Sequence, residues 1–160
     1  MSKSNSSMAV QDAIIMTPDD VNDAIASFLE SYDFLVVKGE KQSDADLKAF
    51  KNGVELIIES RGNQAYKHKG TDKVFDGSQL DIHLSEHVTQ IMRFQQSFSD
   101  GKKRIFVMGN PKVTRINDRL TKISTGLNKL EVLRFWVDYS DEITIEGTKP
   151  LADQFNLLLD

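Results

Sequence analysis

Cysteine is absent from all 160 residues. Disulfides and thiolate chemistry are therefore excluded, and any metal must be held by oxygen or imidazole ligands, which favours hard ions such as magnesium. No stretch approaches the roughly 18 consecutive apolar residues that a membrane-spanning helix needs, so no membrane partner is expected. The opening stretch MSKSNSSMAVQ is polar and serine-rich, without the apolar segment and small-residue cleavage site of a secretory signal. Cytoplasmic residence is the expectation. A phosphate-binding glycine loop, a Gly-x-Ser-x-Gly elbow and internal repeats are missing as well.

What is present is ordinary for a folded soluble chain. Hydrophobic residues make up 39% and charged residues 28%, which excludes disordered and fibrous classes. The length suits one domain. We expect residues 1–16 to form a flexible tail and residues 17–160 a single domain. The net charge of −4 argues against a protein that coats nucleic acid indiscriminately. Its distribution is uneven, however. Both ends are acidic, whereas Lys102, Lys103, Arg104, Lys112, Arg115, Arg119, Lys122, Lys129 and Arg134 face only Asp100, Asp118 and Glu131 between positions 100 and 135. That segment is either a solvated face or a surface for phosphates.

Thr17-Pro18-Asp19-Asp20 is a helix start, with a threonine cap, proline in the first turn and acids where the helix dipole favours them. Val21, Ala24, Ile25, Phe28 and Leu29 then form one apolar stripe over a helix predicted at 18–32. Strands are predicted at 34–37, from about 45, at 54–59, 104–108 and 132–137, with an edge strand at 142–145. Asn52-Gly53 signals a tight hairpin. Residues 63–82 lack a period and are predicted as loop, with a short element at 73–75. Further helices are predicted at 85–98, 113–125 and 150–159. The order gives an α/β (α+β) fold with a central mixed sheet flanked by helices.

Alternation sets Glu55, Ile57, Glu59 and Arg61 on one face of the strand that follows the hairpin. The hairpin turns Asp46 back toward Glu59, and two carboxylates a few ångström apart can bind a divalent cation. Such a cation helps expel a leaving oxygen and acidifies a water, while an adjacent positive group orients that water or offsets transition-state charge. By spacing alone, the same residues also describe a solvated cross-strand ion pair.

The run from Ala45-Asp46 through Asn52-Gly53 to Glu59-Ser60-Arg61-Gly62 resembles the PD-(D/E)XK, or restriction-endonuclease-like, nuclease motif. In that superfamily an aspartate opens one strand and the next strand ends in Glu-x-Lys-Gly. The surrounding order of elements follows the family over roughly residues 18–137. The resemblance implies a restriction-endonuclease-like core and metal-dependent DNA phosphodiester hydrolysis. It assigns Asp46 and Glu59 to magnesium or manganese, and Arg61 to the place of the catalytic lysine. Alanine at 45 replaces the family's proline. Arginine at 61 keeps the charge but cannot give up its proton, so a catalytically inactive module that binds nucleic acid or protein is the alternative. Some branches place a helix glutamine beside the site, here Gln90, and others an acid from the first helix, here Asp20 or Asp23.

Among the histidines, His83 and His87 are four apart, the spacing of a helical metal site, but His83 is expected to precede its helix. Trp136 reads as core. Leu151, Phe155, Leu158 and Leu159 could form a homodimer contact or cap the core.

Overall fold

Thr17 and Asp20 cap one another: the Asp20 backbone N–H donates to Thr17 Oγ1 at 3.3 Å, and the Thr17 N–H to Asp20 Oδ2 at 2.9 Å. With Pro18 in the first turn, this fixes the start of the first helix. The computed structural model describes residues 1–160. Its elements in chain order are β1 (Ser2–Ser4), α1 (Pro18–Glu30), β2 (Leu35–Lys38), β3 (Leu47–Lys51), β4 (Val54–Ser60), β5 (Lys73–Phe75), α2 (Gly77–Ser97), β6 (Arg104–Pro111), α3 (Thr114–Thr121), α4 (Ser124–Lys129), β7 (Val132–Val137), β8 (Ile143–Glu146) and α5 (Lys149–Asn156).

Six strands form one mixed sheet in the order β2-β3-β4-β6-β7-β8. The central β4, β6 and β7 are parallel and the outer pairings antiparallel. Strand alternation separates two apolar layers. Leu47, Leu56, Ile58, Val107 and Phe135 bury one face against Ile25 and Leu29 of α1 and Phe155 of α5. Met108, Val132 and Trp136 bury the other against Leu80 and Ile91 of α2, Ile116 and Leu120 of α3, and Leu127 of α4. The α+β class with a mixed central sheet flanked by helices is thus as expected. No helix is long and apolar enough to cross a membrane.

Several boundaries differ for identifiable reasons. Helix α2 begins eight residues before the expected Ser85, because Asp76 and Gln79 form a second reciprocal capping box. The expected long loop is correspondingly shorter. β6 runs three residues past the expected end at 108, since pairing with β7 continues to Pro111 opposite Val137. The single helix expected at 113–125 is two, separated at Lys122 and Ile123.

Residues 1–16 are not a flexible tail. β1 pairs with β5, Asn5 and Asp12 bond reciprocally through side chain and backbone, and buried Asp12 accepts from Arg115 at 2.8 and 2.6 Å and from Asn63 at 3.0 Å. A segment with few apolar residues is held by polar bonds that composition does not reveal. The residues offered for a dimer contact cap the core instead: Phe155 and Leu158 are buried, and Leu151 and Leu159 pack beside them. Trp136 is core, its Nε1 donating to Glu146 at 3.2 Å.

Candidate active site

The β3–β4 hairpin assembles the acidic pair. Asn52 and Gly53 both have positive φ, at 51° and 78°, the left-handed conformation that a two-residue turn matched to strand twist requires. The register pairs Leu47 with Ile58, which sets Asp46 opposite Glu59 one step further on. The two residues lock each other there. The Asp46 backbone N–H donates to Glu59 Oε1 at 3.1 Å, and the Ser60 N–H to Asp46 Oδ2 at 2.9 Å. Arg61 follows on the same face as Glu59. Gly62 then passes beneath the start of α1: a Cβ there would lie 2.3 Å from the Met16 carbonyl oxygen, so only glycine permits this approach.

Glu59 is only 8% exposed. Burial, followed by the charge of neighbouring Asp46, pushes its carboxyl up to about 8, against smaller lowering effects of the Asp46 N–H and Arg61. Two carboxylates forced together in a poorly solvated place cannot both ionise freely. They must share a proton or acquire a cation.

The pair opens into a groove of about 1340 Å³ at the carboxyl end of β4, the end at which open sheets with parallel strands place ligand crevices. Asp19 and Asp23 of α1 line one wall. Glu86, Gln90 and Arg93 of α2 line another, and Lys41 and Lys48 the side toward β3. Gln90 thus shares the groove with Asp46, Glu59 and Arg61. Asp20 does not. Its carboxylate is used in the capping box and in a 2.5 Å ion pair with Lys69, whereas Asp23 lines the groove and pairs with Lys38.

A group that sequence reasoning missed supports the floor from behind. His87, buried on α2, donates from Nε2 to the Glu59 carbonyl oxygen at 2.7 Å. Its full burial drops the imidazole to about 3, so it is neutral and carries its proton on Nε2. His83 lies within α2, correcting the expectation that it precedes the helix, and its ring packs against Phe75 at 4.4 Å between centroids. His87 has Nε2 committed to the Glu59 carbonyl oxygen, and no third His, Asp or Glu joins the two histidines in a metal-holding group. Only an earlier start to α2, signalled by Asp76-x-x-Gln79, would have put both histidines within that helix.

The four arginines among the nine cations of the basic segment are spent on structure. Arg104 pairs with Asp100 and Glu55, Arg115 with Asp12, Arg119 with Asp81, and Arg134 with Glu146. Lys102 and Lys103 lie just before the start of β6 and Lys112 just past its end, and none of the three lines the groove. The cations that face the groove come from elsewhere: Lys41, Lys48, Arg61 and Arg93, with Lys38 paired to Asp23 at the same wall. Compared with family models, curated proteins and solved structures, the chain matches none.

Proposed function

We propose that the groove is the active site of a metal-dependent DNA phosphodiesterase built on a restriction-endonuclease-like, PD-(D/E)XK core. The observation that carries this reading is the locked pair: Asp46 and Glu59 each commit one carboxylate oxygen to a backbone N–H, leaving Asp46 Oδ1 and Glu59 Oε2 for a ligand at the groove floor. The donor set fits magnesium or manganese. Such ions are hard, keep several waters, and are commonly held by one or two carboxylates together with substrate phosphate rather than by a complete protein cage. It does not fit a closed zinc site, which needs four protein ligands.

When bound, the cation supplies Lewis acidity to a phosphate oxygen and lowers the pKa of a water. Asp46 and Glu59 then act as its oxygen donors, and the elevated proton affinity of Glu59 is what a cation would displace. Arg61, permanently charged, has no role as a base. It orients the attacking water or the phosphate and offsets charge in the transition state. Gln90, on the opposite wall, positions water or a phosphate oxygen. Lys41, Lys48 and Arg93 supply the positive charge that a nucleic-acid backbone requires. DNA is the partner and the cytoplasm the compartment of this reading. A homodimer is not needed to complete the site.

The test is cleavage of supercoiled plasmid and single-stranded DNA by the purified chain in magnesium or manganese. Cleavage that Asp46→Ala and Glu59→Ala each reduce at least ~100-fold is the expected result. Activity that persists in both variants rejects the assignment. Metal-independent DNA retention without cleavage would instead favour a binding module, the alternative suggested by Arg61 where the family carries lysine.

A further inference from the structure

Helix α2 packs over β4 and β6, which leaves the same face of β2 and β3 uncovered beside the groove. Strand alternation says what lies there. Val36, Leu47 and Ala49 turn into the core beneath α1. Asp46, and then Lys48 and Phe50 of β3, therefore turn to the α2 face, and the register sets Val37 beside Lys48 and Leu35 beside Phe50. Leu35, Val37 and Phe50 are 66%, 47% and 38% exposed. Singly, such residues need no explanation. As three neighbours on one sheet face they form an apolar shelf, the kind of surface that marks a contact site.

The shelf continues the groove floor. Asp46, Lys48 and Phe50 succeed one another at about 6.8 Å along the strand, a step close to that between adjacent phosphates on one nucleic-acid strand. Lys48 and Arg93 line the groove. The ring of Phe98, not a carboxylate, holds the Lys48 ammonium, 4.7 Å from the ring centroid, so its charge is not spent on an ion pair. Carboxylates, then a cation, then apolar and aromatic side chains match a strand whose phosphates pass Lys48 and whose base faces rest on Phe50, Val37 and Leu35. A duplex does not match, because its base faces are stacked inside and only base edges reach the grooves. Continuity with a cation-lined groove favours nucleic acid over a protein partner.

We propose that the groove takes single-stranded DNA, whose unpaired bases lie on the shelf of Leu35, Val37 and Phe50 while its backbone passes Lys48 to reach Asp46 and Glu59. This rests on the phosphodiesterase reading of the groove, and binding is measured apart from cleavage so that the two can fail separately. Fluorescence anisotropy of the full chain in calcium is expected to show a short single strand bound roughly 10-fold or more tighter than its duplex, and than the same strand carrying abasic sites. Those comparisons need no variant. Phe50→Ala is expected to lose roughly 5- to 100-fold toward the natural strand and nothing toward the abasic one, while Phe50→Tyr, which keeps the ring, retains wild-type affinity. Equal affinity for natural and abasic strands, a duplex bound as tightly, or an unchanged Phe50→Ala overturns the proposal even where the chain cleaves DNA through Asp46 and Glu59. Base-dependent binding on the shelf without cleavage in magnesium or manganese upholds the shelf and rejects the active-site reading. A dimer in sedimentation that Phe50→Ala dissociates, with DNA affinity unchanged, assigns the shelf to a second copy and overturns the proposal as well.

Discussion

Replacing Glu59 with glutamine should stabilise the metal-free protein at alkaline pH and leave it nearly unchanged in mild acid. The carboxyl goes from an ordinary 4.5 to about 8 on folding, so below 4.5 it is protonated in both states and has no effect. Between 4.5 and 8 the folded chain holds a proton that the unfolded chain releases, and stability falls as pH rises. Above 8 the full cost is present. At ~1.4 kcal/mol per unit, a shift of this size has a ceiling of roughly 5 kcal/mol. Asp46 can rearrange beside the carboxyl and the groove admits water, so we expect about 2–3 kcal/mol. For a chain of this length that corresponds to a melting temperature roughly 4–10 °C higher. Glutamine keeps the acceptor for the Asp46 N–H and can donate to the Asp46 carboxylate, as a protonated Glu59 carboxyl would. Calorimetry of both proteins in EDTA at pH 4.5 and pH 9 decides it. Equal melting at pH 9, or the same difference at both pH values, refutes the claim that Glu59 is a buried, proton-retaining acid.

His87 acts in the opposite sense: held down to about 3 in the fold, it loses stability for the protein as pH falls from its unfolded value near 6.5. His87→Phe should cost about 2–3 kcal/mol at pH 7 by orphaning the Glu59 carbonyl, yet flatten the acid limb of urea-unfolding curves taken from pH 7 to pH 4. Asp12→Ala should cost roughly 3–5 kcal/mol, because it strands Arg115 without its buried partner; hydrogen exchange should also show β1 released. In cleavage assays, Arg61→Ala should lose about 100- to 1,000-fold while Arg61→Lys stays within roughly tenfold, and equal activity of all three proteins would remove Arg61 from the site.

The sheet was legible in the sequence because its cues are local. Asn52-Gly53 fixes the hairpin, alternation in Val54–Ser60 fixes which side chains share a face, and together they set Asp46 opposite Glu59. The apolar run Val132–Val137 was placed to the residue. What was not legible depends on distant partners. Asp12 is an unremarkable acid until Arg115, 103 residues away, folds against it. His87 carries no signal that it will bond the backbone of β4. The charge of residues 100–135 suggested a phosphate surface because ion pairs to Asp12, Asp81 and Glu146 lie outside that window. Asp20, offered as an auxiliary acid, has its carboxylate in the capping box and beside Lys69, bonds that depend on the fold of the segment after β4.

The central claim is that Asp46 and Glu59 form a cation site at the foot of the groove. Crystals grown with manganese and measured at its absorption edge test it most directly. An anomalous peak between the two carboxylates, within bonding distance of Asp46 and Glu59 and lost in Asp46→Ala, is expected. A groove floor without manganese, with Glu59 still bonded to the Asp46 N–H, would contradict it.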